Sequence, residues 1–206
     1  MTNLEIEFKS LLTESDFLAL LPLFDGIKMR CQTNYYCDTA DKTIAGLSSA
    51  LRIRTWEDGA ELTFKEKSDT SHLEYTQTLL ESEATALIQN FKLPKGIIFD
   101  RLLALGVKTD DLDIWGELTT LRREMATPIG LMALDENYYG NSCDYELELE
   151  VTDPDKGEAD FHDFLKNTVS PFIKGHIKWH EPRQSSKNKR RHESNQDLIT
   201  PFLFAF

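Results

Sequence analysis

The chain has 206 residues, with 23 Lys and Arg against 35 Asp and Glu, giving a formal net charge of −12. A hydrophobic fraction of 40 % supports a sizeable core, and no apolar run approaches the ~20 residues that a membrane helix needs. The acidic balance argues against nonspecific nucleic-acid binding, which runs on surface Lys and Arg, but it leaves room for a polyanionic ligand where the cations are concentrated.

The elements are taken in chain order. Residues 3–12, NLEIEFKSLL, alternate as a strand, with Leu4, Ile6 and Phe8 opposite Glu5, Glu7 and Lys9. The N-terminus lacks a basic segment followed by an apolar one, so no secretory signal is expected. Residues 13–24 carry Thr13 and Asp16 ahead of apolar positions at helical spacing, the mark of a capped amphipathic helix. A strand is expected over 31–39. Residues 49–68 read as a hairpin, two alternating runs joined by Glu57-Asp58-Gly59. A strand over 72–80 leads to helices over 81–91 and 95–106, the second ended by Gly106. Strands follow over 115–126, 130–140 and 143–152, then a helix over 157–169 and a basic run, Ser-Ser-Lys-Asn-Lys-Arg-Arg, at 185–191. The three cysteines, Cys31, Cys37 and Cys143, lack metal spacing, and their odd number argues against a disulfide framework; a reducing cytoplasm is expected. No linker divides the chain, so one domain over 1–206 is expected. The pattern suits an antiparallel barrel or a strongly curved sheet in an α+β domain.

Four of these strands place an apolar face against a face of formal charges. Arg52 and Arg54 alternate with Leu51 and Ile53; Lys65 and Lys67 with Phe64; Glu146, Glu148 and Glu150 with Leu147 and Leu149; and Glu5, Glu7 and Lys9 with Ile6 and Phe8. A solvated face normally intersperses its signs, whereas single strands here repeat one sign at i and i+2. Carboxylate clusters call for a divalent cation with a taste for oxygen, Mg²⁺ or Mn²⁺. Paired Arg and Lys call for phosphate, whose oxygens the guanidinium fork matches. Together they point to a polyphosphate. If the charged faces look inward, the apolar faces look outward and the helices must cover them. The pair His176 and His180 has zinc-like spacing but no third ligand in the sequence, and packing or surface roles are preferred.

The set Glu5, Glu7, Lys9, then Arg52, Arg54, Lys65, Lys67, Glu74, Arg122, Glu146, Glu148, Lys187 and Arg190 resembles, in order and spacing, the CYTH domain or triphosphate tunnel metalloenzyme family and its YjbK-like bacterial group. The opening Glu-Ile-Glu-Phe-Lys matches that family's ExExK signature. The resemblance implies a closed antiparallel eight-stranded β-barrel, a tunnel, with helices packed outside. It implies a divalent-metal-dependent triphosphatase, with inorganic tripolyphosphate as first choice and thiamine triphosphate or a nucleoside triphosphate next. Other members are class IV adenylate cyclases or act on RNA 5′-triphosphate ends, and a noncatalytic polyphosphate-binding protein is a further alternative. On this reading Lys9, Arg52, Arg54, Lys65, Lys67, Arg122, Lys187 and Arg190 bind phosphate. Glu5, Glu7, Glu146 and Glu148 bind Mg²⁺ or Mn²⁺ and, with Lys9, serve catalysis. A one-residue slip would put Arg123 in place of Arg122, and Asp135 and Glu74 are weaker candidates. The expected partner is a triphosphate-containing small molecule, with no membrane, nucleic acid only as a 5′-triphosphate end, and homodimerisation left open.

Overall fold

The alternating segments form nine antiparallel strands in one sheet. The structure is a computed structural model describing residues 2–68 and 72–168, with side chains from residue 6 onward. The strands are β1 (Thr2–Glu5), β2 (Glu7–Leu12), β3 (Arg30–Thr39), β4 (Ala50–Trp56), β5 (Gly59–Lys67), β6 (His72–Leu79), β7 (Leu112–Thr127), β8 (Gly130–Tyr139) and β9 (Ser142–Glu150). Their order across the sheet is β1-β6-β5-β4-β3-β7-β8-β9-β2. Tight hairpins fix the register of β4 with β5 and of β8 with β9, and register decides which side chains share a face. At the β7–β8 turn Gly130 has φ +149°, and a Cβ there would lie 2.4 Å from the Glu150 carbonyl oxygen, so no other residue fits without a shift.

The closed eight-stranded barrel expected from the sequence is corrected here: the ladder is an open sheet of nine strands, with β1 and β2 at its two ends. The physical reason lies at Ile6. The opening segment is not one continuous strand, because Glu5 pairs with His72 of β6 while Glu7 pairs with Glu150 of β9. The chain changes partner between them, and the Ile6 carbonyl accepts from Val151 N–H at 2.9 Å. The sheet is strongly curled all the same. Lys65 of β5 and Glu7 of β2, on strands from opposite halves of the ladder, come within 3.6 Å on its concave face.

The convex face is apolar and helices cover it in two places, as the inward-charge reading requires. Over β3–β6 lie α2 (Thr43–Gly46), α3 (Glu81–Gln89) and α4 (Ile97–Ala104), packing Ile98 and Leu102 against Ile53, Leu62 and Phe64. Over β2, β8 and β9 lie α1 (Glu14–Leu20) and α5 (Pro154–Thr168), packing Phe17, Leu20, Phe161 and Leu165 against Leu134, Leu147 and Leu149. Each fully buried side chain of this kind contributes about 1.5–3 kcal/mol. Thr13 caps α1 as expected, accepting from Asp16 N–H at 3.2 Å. The α2 turn has no periodic signal in the sequence. The buried Asp38 carboxylate holds it by accepting from Ile44 and Ala45 N–H at 2.9 and 3.0 Å. Among the described residues no helix is long and apolar enough to cross a membrane.

Candidate functional site

The concave face encloses a cavity of about 390 Å³, small for a ligand site and lined mostly by charged and amide side chains. Strand register builds it. Across β2, β9, β8 and β7, Lys9 faces Glu148, Asp135 faces Glu146, and Arg122 faces Asp135. On the far wall Arg54 of β4 lies between Asn34 of β3 and Glu61 of β5, and Lys65 lies beside Glu74 of β6.

One wall gathers acids. Oxygens of Asp135, Glu146 and Glu148 lie within 4.8 Å of one another, close enough for a single cation to touch all three. Asp135 is 2 % and Glu148 7 % exposed. Arg122 donates to Asp135 through Nε at 2.8 Å and Nη2 at 2.5 Å, and to Glu148 at 2.5 Å. Lys9 donates to the other Glu148 oxygen at 2.6 Å. Burial works to raise the Glu148 carboxyl, but Arg122 and Lys9 outweigh it and hold the group well below the usual carboxylate range. Burial likewise opposes the charge on Lys9, and Glu148 and Glu7 overcome it, raising the ammonium well above its ordinary value. Glu7, 3.4 Å from Lys9 and 3.6 Å from Lys65, is held at about 2 by those cations against the effect of burial. Glu146 differs. Burial pushes it up to about 7, with Glu148, Asp144 and Asp135 adding to the rise against Lys9. The Asn137 amide donates to it at 3.3 Å.

The opposite wall gathers cations. Arg52, Arg54 and Lys65 all line the cavity. Arg54 Nε donates to Asn34 at 2.9 Å, and its Nη1 lies 3.4 Å from Glu61, which fixes the guanidinium plane. Burial, with Arg52 and Arg122 nearby, lowers its pKa to about 10. Arg52 Nε is buried without a hydrogen-bond partner, an uncompensated donor of the kind an anionic ligand relieves.

Of the residues singled out in the sequence, Glu7, Lys9, Arg52, Arg54, Lys65, Glu74, Arg122, Glu146, Glu148 and Glu150 are brought together around this cavity. Arg122 rather than Arg123 faces it; Arg123 lies one residue out of phase, opposite Leu134. Lys67 keeps the phase of Lys65 but sits exposed at the end of β5, outside the lining. Glu5 lies in β1 opposite His72, and its side chain is outside the described residues, as are Lys187, Arg190, His176 and His180. The trio within reach of one cation contains Asp135 and not Glu7, whose neighbours are Lys9 and Lys65. Asp135 was legible in phase, since Ala133, Asp135 and Asn137 alternate with Met132 and Leu134. Ala133 interrupts the run of charge, and Glu136 puts an equal charge on the other face. Gln32, Asn34, Thr120 and Asn137 also line the cavity and carry no formal charge to mark them.

All three ligand groups of the trio are carboxylates, a hard oxygen set that suits Mg²⁺ or Mn²⁺ better than a soft metal. Beside them stand five Lys and Arg side chains in one small cavity, so fold and site define a class of protein with a charge arrangement able to take a cation together with a compact polyanion. The chain belongs to the CYTH domain family, whose profile matches residues 3–173. It is similar to YjbK of Bacillus subtilis, provisionally named a triphosphatase, with 34 % identity over 171 residues, 82 % of this chain and 88 % of that one. A Bacillus halodurans structure provisionally named an adenylate cyclase superposes with TM-score 0.78 at 29 % identity, covering 91 % of this chain and 96 % of the other. HpAC1 from Hippeastrum, an adenylyl cyclase candidate described as having a dominant triphosphatase activity, gives TM-score 0.70 at 27 % identity, over 89 % and 92 % of the two chains.

Proposed function

We propose that this protein is a divalent-metal-dependent triphosphatase, with inorganic tripolyphosphate as its first substrate. The observation that carries the reading is the facing of two walls across about 390 Å³: Arg52, Arg54 and Lys65 on one, and the carboxylates of Asp135, Glu146 and Glu148 on the other. Phosphoryl transfer to water asks the protein for positioning and charge neutralisation rather than covalent chemistry. Arg52, Arg54 and Lys65 bind phosphate oxygens along the basic wall. Asn34 and Glu61 keep the Arg54 fork presented. Asp135, Glu146 and Glu148, with Glu7 beside them, hold Mg²⁺ or Mn²⁺. When bound, such a cation offsets phosphate charge and lowers the pKa of a water able to attack. Lys67, Lys187 and Arg190 keep their phosphate-binding role as part of this proposal, and Glu5 its metal role.

The small cavity favours an inorganic chain over a nucleotide, since its described lining is mostly charged and amide side chains, with Tyr36 and His72 as the rings that could stack on a base. The likeness to a structure named for adenylate cyclase supports a second reading, cyclisation of ATP. A product assay with Mg²⁺ or Mn²⁺ over tripolyphosphate, thiamine triphosphate, ATP and 5′-triphosphorylated RNA separates them. Orthophosphate from tripolyphosphate is the expected result. Cyclic AMP with pyrophosphate from ATP would favour the cyclase, and tight binding without any product would leave a polyphosphate-binding protein.

A further inference from the structure

Two of the three carboxylates in the acidic trio already hold a cation of the protein's own. Arg122 grips Asp135 through two nitrogens and reaches Glu148 as well, and Lys9 takes the second Glu148 oxygen at 2.6 Å. With Asp135 2 % and Glu148 7 % exposed, the acids of these pairs are buried, and taking a cation from a buried carboxylate is costly unless a new partner replaces the old. A metal ion seeking those oxygens must therefore share or displace Arg122 and Lys9. Both side chains line the same cavity as the basic wall. An anion lodged there offers them a second partner.

We propose that Arg122 and Lys9 are exchange cations. Without ligands they neutralise Asp135 and Glu148; on loading, a divalent ion takes over those oxygens and the two side chains transfer to the anion. The proposal rests on the metal and triphosphate reading above and deepens it, making the two ligands interdependent. A metal alone would strand two half-buried cations, and an anion alone would find Arg122 and Lys9 engaged. Each ligand thus tightens the other, by the same factor, as linkage requires. Arg122 is on this account a positioning and coupling residue as well as a phosphate contact.

The test is Mn²⁺ binding by the full chain, followed by the electron paramagnetic resonance signal of free Mn²⁺, in sodium sulfate and in sodium chloride at equal ionic strength. Sulfate is the oxyanion probe because it competes weakly for Mn²⁺. Sulfate should tighten Mn²⁺ binding by about fivefold or more. Arg122→Gln should bind Mn²⁺ more tightly than wild type in chloride and lose most of the sulfate enhancement. Lys9→Gln should do the same to a smaller degree, and it carries the test should Arg122→Gln not fold. Unchanged or weaker Mn²⁺ binding by the variants in chloride, with the sulfate enhancement intact, would overturn the exchange role. Absence of Mn²⁺ binding by every form in both salts would overturn the metal reading itself.

Discussion

Replacing Glu146 by Gln should stabilise the metal-free protein at pH 8 and leave its stability unchanged at pH 4. In the folded chain burial, reinforced by Glu148, Asp144 and Asp135, keeps this carboxyl protonated up to about 7, against an ordinary value of 4.5. Between those two values the folded state binds more protons than the unfolded one. The contribution of protonated Glu146 is then complete below 4.5 and is lost as pH rises through 7. A rise from 4.5 to about 7 corresponds to about 3 kcal/mol at full weight. Glu146 is half-buried rather than sealed, and screening by solvent reduces this to about 1–2 kcal/mol. Gln keeps an oxygen for the Asn137 amide and cannot ionise, so it should recover that amount at pH 8. The assay is urea denaturation of chelator-treated protein at pH 4, 6 and 8. Equal midpoints for wild type and variant at pH 8, or a gain as large at pH 4 as at pH 8, would refute the reasoning. The same substitution should weaken metal binding, so stability and function would move in opposite directions.

Three further outcomes are expected. Glu7→Gln should abolish turnover while the chain stays folded, at a cost of about 1–3 kcal/mol at pH 7. Because Glu7 is held at about 2, its contribution is present above 4.5 and lost as pH falls through 2, so the cost should vanish in strong acid, as thermal melts across pH would show. Arg54→Ala should raise the KM for tripolyphosphate at least about tenfold, a loss of about 1.4 kcal/mol or more, and relieve repulsion from Arg52 and Arg122; unchanged kinetics would remove Arg54 from the binding wall. Gly130→Ala should destabilise by about 1–3 kcal/mol, since its Cβ would meet the Glu150 carbonyl at 2.4 Å and its φ of +149° disfavours any side chain; denaturant midpoints read this directly.

The sequence alone carried the alternation. Glu7 and Lys9, Arg52 and Arg54, and Glu146 and Glu148 fall on one face of their strands because the side-chain period of a strand is two, a local property independent of what lies across the sheet. The same period put Leu147 and Leu149 on the face that α1 and α5 cover, and the capping of α1 by Thr13 was local too. Tertiary structure decided the rest, because it depends on which strands become neighbours. The ladder breaks where the opening segment changes partner at Ile6, from β6 to β9, and nothing in the alternation of residues 3–12 marks it. Register across β7, β8 and β9 chose Arg122 over Arg123 and set Asp135 against Glu146, making a three-acid cluster from residues 11 and 13 positions apart in the chain. The alternation tells which way a side chain points; only the pairing of distant strands tells what it meets there. Ionisation at this site depends on that meeting, for burial and neighbouring charge separate Glu146 from Glu148 although the two share one strand and one face.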